Sequence, residues 1–179
     1  EIFVTTFTDS RQNPGQPHTT ENVTQMGQLK STNGGKTWTR LSSLPKGFEG
    51  IREGTVSSRN FLHVFISPFS PSNQYPKSFY STDGGVTFKE ANVFIDIATY
   101  DPHDESGNHV LGYQRTTIGP TPPGIYESKD AGATWDRVSN APKEIMDDIS
   151  LLSEASNIVW DPKDKNIVYL TGAGGYVWK

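Results

Sequence analysis

Five carboxylates stand in segments that connect the short apolar stretches of this chain. They are Glu49, Glu53, Asp96, Asp147 and Asp148. Hydrolysis of a glycosidic bond needs two carboxyl groups about 5 to 9.5 Å apart, one to donate a proton and one to act as base or nucleophile. Glu53 and Asp96 stand where the chain enters a predicted innermost strand. The sequence therefore predicts Glu53 and Asp96 as the catalytic pair.

Side chains in the same segments suit polar recognition of a ligand. Arg52, Tyr75 and Arg115 offer guanidinium groups and an aromatic ring, and Asp147 and Asp148 offer acceptors. Taken singly, each charged residue is also compatible with a solvated loop position. The Asp147-Asp148 pair is compatible with the cap of a helical turn. Ligand binding by these residues is a hypothesis that stands beside the plainer interpretation.

The residues that usually bind metals are not grouped for that purpose. The chain has four histidines, His18, His63, His103 and His109. They are not spaced as ligands on one shared element. Asp101, Asp104 and Glu105 could offer oxygens to calcium just before a Gly-Asn pair, but a turn is the better interpretation because this loop lies away from the face expected to bind a ligand. No glycine-rich loop stands between a strand and a helix. We predict neither a metal nor a cofactor.

Three octapeptides repeat along the chain, at residues 31–38, 81–88 and 128–135. All read Ser-x-Asp/Asn-x-Gly-x-Thr-aromatic. They begin roughly 50 residues apart, which is the size of one four-stranded propeller blade. Three copies at nearly equal spacing indicate a repeating structural unit.

Each octapeptide is typical of a tight hairpin. Its third position can accept backbone N–H bonds, its fifth can adopt positive φ, and its aromatic can enter the core between blades. These positions hold Asn33, Asp83 and Asp130, then Gly35, Gly85 and Gly132, then Trp38, Phe88 and Trp135. The acidic members are therefore predicted to be structural and not catalytic.

The octapeptides resemble the Asp-box, or bacterial neuraminidase, repeat. The resemblance implies an all-β fold of four-stranded antiparallel blades, with each box joining the third and fourth strands. Residues 1–179 would then form a single segment of about three and a half blades. A complete ring would have six or seven, so a second chain or the rest of a longer polypeptide would complete it.

This topology sorts the connections onto two faces. The boxes lie on one face, and the long connections 8–26, 68–76 and 115–123 lie on the other. Long loops gathered on a rigid scaffold usually carry function. We therefore expect a ligand on the face opposite the boxes.

The segment 158–178 resembles the strand, Asp-Pro turn and strand pattern of xyloglucanase-type glycoside hydrolases. Sialidase-like and sortilin-like propellers are also similar. Thr171 is followed by Gly172, where those hydrolases carry a catalytic Asp, and Arg52 lacks the Arg-Ile-Pro context of sialidases. The resemblance implies an extracellular carbohydrate-active protein. The alternatives are a non-catalytic glycan- or protein-binding propeller and a structural or assembly protein.

The composition of the chain argues against several other classes of protein. The net charge is −4 and no basic stripe is present, which argues against a nucleic-acid partner. No apolar run is long enough to cross a bilayer. The chain has no cysteine, and hence no disulfides. We expect a secreted or extracellular protein that acts on a glycan or polysaccharide, with the periplasm as a further possible compartment.

Overall fold

The computed structural model describes residues 2–6, 27–40, 51–68, 77–114, 121–138, 155–172 and 177–178. These residues form strands and turns, and none of them is helical. This part of the chain therefore contains no helix that could cross a membrane.

The described strands belong to four antiparallel sheets, each with its strands in chain order. The first sheet contains β1 (Ile2–Thr6), β2 (Gly27–Ser31) and β3 (Thr39–Arg40). The second contains β4 (Ile51–Val56), β5 (Val64–Pro68), β6 (Phe79–Ser81) and β7 (Lys89–Glu90). The third contains β8 (Ile97–Tyr100), β9 (Val110–Gln114), β10 (Gly124–Ser128) and β11 (Asp136–Arg137). The fourth contains β12 (Ala155–Trp160), β13 (Val168–Gly172) and β14 (Val177–Trp178).

The sheets are arranged as the blades of a β-propeller. The first strands of the second, third and fourth sheets, β4, β8 and β12, lie next to one another. Each sheet then extends outward as a meander to its last strand. The predicted all-β fold of antiparallel propeller blades is confirmed.

Alternating side chains of each middle strand fill the two neighbouring interfaces. In β9, Val110 packs in the core between the second and third sheets, together with Phe65. Its neighbour Leu111 packs on the other side, against the core that contains Tyr113 and Ile158. Because successive strand residues point to opposite faces, one blade contributes to two cores.

The two ends of the blades differ. We call the end with the box hairpins and the β4–β5, β8–β9 and β12–β13 turns the box face. We call the end where β4, β8 and β12 begin the loop face. Of the long connections predicted there, residues 8–26, 69–76 and 115–120 lie outside the described residues.

Candidate functional site

The backbone that leads into β8 on the loop face is held by side chains of the second sheet. Ser78 Oγ accepts from Ile95 N at 2.9 Å and donates to Ile95 O at 3.1 Å. Ser67 Oγ also donates to Ile95 O. Asp96 follows directly, and its N–H donates to Tyr113 O at 3.0 Å. Asp96 is 0% exposed, so this hydrogen-bonded backbone holds a fully buried carboxylate.

Glu53 lies on the neighbouring innermost strand, at the same end of the molecule. It belongs to β4, and its side chain is exposed. β4 begins at Ile51, so Arg52 and Glu53 lie within the strand and not ahead of it as the sequence suggested. The structure thus places Glu53 in β4 and Asp96 directly before β8, the neighbouring innermost strand, at the loop face. Glu53 is exposed to solvent, whereas Asp96 is buried.

Most of the other predicted site residues belong to connections between strands. Tyr75, Arg115, Asp147 and Asp148 lie outside the described residues, as does the candidate Glu49. Arg52 is placed by its backbone in β4.

The box hairpins are built from short-range hydrogen bonds. In the second box, Ser81 Oγ accepts from Gly85 N at 2.8 Å and donates to Asp83 Oδ1 at 2.7 Å. Asp83 Oδ1 accepts from Thr87 N at 2.9 Å, and Asp83 Oδ2 accepts from Thr87 Oγ1 at 2.6 Å. The third box repeats these bonds. The carboxylates of Asp83 and Asp130 thus accept hydrogen bonds from residues of their own turns, which agrees with the predicted structural role.

The first box has an amide in place of the carboxylate. Asn33 Oδ1 still accepts from Thr37 N at 2.9 Å. Asn33 Nδ2 now donates to Thr37 Oγ1 at 2.7 Å, so the threonine hydroxyl accepts instead of donating. The same turn therefore forms with either side chain.

Two successive residues in each box adopt positive φ. The fifth-position glycines Gly35, Gly85 and Gly132 have φ of 88°, 83° and 94°. The preceding residue is also left-handed, which the sequence analysis did not anticipate. In the third box that residue is Ala131, with φ 61°, a conformation that costs a non-glycine residue free energy.

Hydrogen bonding shifts the acidity of both box carboxylates. The Thr87 hydroxyl and N–H stabilise the ionised form of Asp83 and lower its pKa from 3.8 to about 2. Burial of Asp130 opposes ionisation, but bonds from Thr134 and Ser128 outweigh it and lower the pKa of Asp130. Both groups are held ionised, which suits a hydrogen-bond acceptor and not a proton donor.

The family comparison matches this hairpin. The BNR/Asp-box repeat family matches residues 79–90, which contain the second box. The chain therefore carries an Asp-box repeat on propeller blades. No curated protein matches it significantly.

The solved structures that resemble this chain include two that are described here by name. One is an ancestral GH74 enzyme, with a TM-score of 0.53 and 20% identity over 80% of this chain and 18% of the enzyme. The other is YCF48 from Cyanidioschyzon merolae, with a TM-score of 0.44 and 16% identity over 74% of this chain and 37% of that protein. The chain thus spans well under half the length of either. At 20% identity, the likeness to the GH74 enzyme concerns the fold.

A second polar cluster lies on the box face of the Asp-box propeller. His109 Nδ1 lies 2.9 Å from Asp101 Oδ2, and His109 Nε2 lies 2.9 Å from Glu127 Oε1. The imidazole packs edge-on against Trp160 of the fourth sheet, with 5.3 Å between ring centroids. Lys129 Nζ lies 3.2 Å from the other oxygen of Glu127.

This cluster links the third and fourth sheets through the contact between the rings of His109 and Trp160. Ionised carboxylates only accept hydrogen bonds, so an N–H of the ring is the donor wherever such a bond forms. His103 adds a second link, because its Nε2 lies 2.8 Å from the backbone oxygen of Asp161 in the fourth sheet. Sequence analysis missed the cluster because its members come from a turn and two different strands. The available signal was a histidine just before β9 and a carboxylate in β10, the strand that pairs with β9.

The predicted acidic loop is a turn. Asp104 Oδ2 accepts from the N–H groups of Asn108 and His109, both at 2.8 Å. These and further bonds from Ser106 lower the pKa of Asp104, although burial is the largest single influence and opposes them. Among the described residues, no group of three or more His, Asp or Glu is arranged to hold a metal ion.

Proposed function

We propose that this Asp-box propeller is an extracellular glycoside hydrolase relative that acts on a polysaccharide or glycan at its loop face. The observation that supports the proposal is that two carboxylates lie at that face, one in β4 and one directly before the neighbouring strand β8. Glu53 is exposed, and Asp96 directly precedes β8. Retaining and inverting hydrolysis both need such a pair across the scissile bond.

In the proposed reaction, the two carboxylates divide the proton transfers. One protonates the leaving glycosidic oxygen, and the other activates water or attacks the anomeric carbon. The guanidinium groups of Arg52 and Arg115 and the ring of Tyr75 would bind the flanking sugars, with Asp147 and Asp148 as acceptors for hydroxyls. The proposal also draws on the fold, which is similar to that of an ancestral GH74 enzyme.

A hydrolysis screen with full-length protein tests the proposal. Polysaccharides including xyloglucan would be assayed for new reducing ends, with the variants Glu53→Gln and Asp96→Asn. We expect each variant to lower kcat/KM by about 100-fold or more, since each removes a proton-transfer group. Glu105→Gln is the matched control, because Glu105 is an exposed carboxylate on the box face. Full activity in both loop-face variants would contradict the assignment.

A glycan-binding propeller without catalysis is the second candidate. The complete burial of Asp96 favours it, because a proton-transfer group must reach the substrate. On this alternative, the wild-type protein binds oligosaccharides but releases no reducing ends. Asp96→Asn would then lower the melting temperature and leave the binding constant unchanged.

A further inference from the structure

The first box contains the only Asn-Gly pair of the sequence, at Asn33 and Gly34. The other two boxes have Asp83 and Asp130 at the position of Asn33. An asparagine loses its side-chain amide when the backbone nitrogen of the next residue attacks the amide carbon and closes a cyclic imide. Glycine permits this attack most readily, because it has no Cβ to hinder it. The pair is therefore a candidate for covalent modification.

The turn that contains this pair is open to solvent. Asn33 and Gly34 are both exposed. Gly34 has φ 71°, and a Cβ added there would have no atom within 4 Å. Water and a cyclic intermediate therefore have room at this hairpin. Asn166 is also exposed, but Ile167 follows it, and the branched side chain of Ile167 hinders the same attack.

Two hydrogen-bond donors already lie at the side-chain carbonyl oxygen of Asn33. Asn33 Oδ1 accepts from Thr37 N at 2.9 Å and from Ser31 Oγ at 3.0 Å. This oxygen gains negative charge when a nucleophile adds to Cγ. Donors held in place at an oxygen that becomes negative stabilise the transition state. The box therefore activates the Cγ atom of Asn33.

The turn is also able to keep its hydrogen bonds once a carboxylate replaces the amide. Asn33 Nδ2 donates to Thr37 Oγ1 at 2.7 Å. In the second box, the Thr87 hydroxyl instead donates to Asp83 Oδ2 at 2.6 Å. Rotation of one threonine hydroxyl is thus enough to exchange the amide for a carboxylate, so the product is compatible with the fold.

We propose that Asn33 is a deamidation site, at which the first box converts to the carboxylate form of the other two. Gly34 N loses its proton and bonds to Cγ of Asn33, the Cγ–Nδ2 bond breaks, and ammonia leaves. Water then adds to the same Cγ, the bond from Cγ to the Gly34 nitrogen breaks, and that nitrogen regains a proton. The conversion needs water alone and involves no glycan and neither loop-face carboxylate.

The position of the two donors determines which product forms. Opening of the imide at Cγ gives aspartate, whereas opening at the main-chain carbonyl gives isoaspartate, in which the chain runs through the side chain. Thr37 N and Ser31 Oγ donate to the oxygen on Cγ, so they favour the addition of water at that carbon. Aspartate is therefore the main product in the folded protein.

Peptide mass spectrometry of the full-length protein, incubated at mildly alkaline pH, tests the site. We expect residue 33 to gain the mass difference between an amide and an acid, while Asn166 keeps its amide. Gly34→Ala should slow the conversion several-fold, because a Cβ hinders the attacking nitrogen. Ala131 adopts φ 61° at the same position of the third box, so alanine is compatible with this turn.

Asn33→Asp supplies the expected product for comparison. The converted wild-type protein should elute with Asn33→Asp in ion-exchange chromatography and have the same melting temperature. An Asn33 amide that persists after a peptide of residues 27–40 has converted would overturn the site. Equal rates in wild type and Gly34→Ala would overturn attack by the Gly34 nitrogen. Isoaspartate as the main product would contradict the role of Thr37 and Ser31.

Discussion

At the scale of single residues, the box carboxylates show how local hydrogen bonds determine ionisation. Asp83 receives a hydroxyl and a backbone bond from Thr87, and Asn33 makes a corresponding set with an amide. The hairpin therefore forms with either side chain, but only the carboxylate makes the stability of the hairpin depend on pH.

We expect Asp83→Asn to remove this pH dependence. The pKa of Asp83 falls from 3.8 to about 2 on folding. Its contribution is therefore fully present above pH 4 and is lost as the pH falls through about 2. The side chain is largely solvated, so the loss at pH 7 should be about 0.5 kcal/mol or less. Urea unfolding between pH 2 and 7 measures it, and an unchanged acid slope in the variant would contradict the assignment.

His109 carries a larger structural role than its sequence position suggests. We expect His109→Ala to destabilise the protein by about 1–3 kcal/mol, because Asp101 Oδ2 would lose the imidazole while the carboxylate remains largely buried. Chemical denaturation measures the effect. Lys129→Ala is the control, since its ion pair with Glu127 is exposed and should contribute less than about 1 kcal/mol. Equal losses of unfolding free energy in the two variants would show that the contacts of His109 do not contribute more to stability than an exposed ion pair does.

At the scale of elements, the box hairpin packs against the blade before it. Trp135 lies edge-on to Phe65 at 5.1 Å, and its Nε1 donates to Gly132 O at 2.9 Å. A Cβ at Gly132 would stand 2.7 Å from a ring carbon of Phe65. The third box thus forms part of the core between the second and third sheets.

Two glycine substitutions separate backbone strain from packing. A Cβ added at Gly34 has no atom within 4 Å, and the backbone there has φ 71°. Gly34→Ala should therefore lower the free energy of unfolding only by the conformational penalty of about 1 kcal/mol. Gly132→Ala has φ 94° and also collides with Phe65, so it should cost at least about 2 kcal/mol more. Thermal unfolding of the two variants gives the comparison. A smaller loss for Gly132→Ala would show that the hairpin shifts freely from the preceding blade.

At the scale of the whole molecule, the outer faces of the first and fourth sheets expose apolar side chains. Trp38 is 41% exposed, whereas its equivalent Trp135 is 3% exposed against the second sheet. The sequence predicted that all three box aromatics lie between blades, and Trp38 differs because no described sheet covers that side. Val159 and Val177 are exposed on the far side of the fourth sheet.

We expect residues 1–179 produced alone to self-associate through these faces, because apolar sheet faces and strand edges favour association. Light scattering measures the mass. Trp38→Ser combined with Val159→Lys should shift the protein toward monomer. A wild-type monomer at high concentration would contradict pairing between chains and favour completion by further blades of one polypeptide.

Part of the candidate site could be predicted from sequence. The positions of Glu53 and Asp96 at one end of neighbouring innermost strands followed from repeat spacing and the order of connections. Their different exposure did not follow, because it depends on how Ser67, Ser78 and Tyr113 enclose the start of β8. The bulge at Arg52 was also hidden, since register is a property of paired strands.

The sequence alone determined the box hairpins and, through their spacing, the blades. The bonds that form each box join residues no more than four positions apart, so the octapeptide contains all the atoms that its turn needs. Only the tertiary structure decided which box aromatic is covered, which loop-face carboxylate is buried, and that His109 joins two carboxylates beside Trp160. Those outcomes depend on contacts between distant segments, which form when one sheet packs against the next.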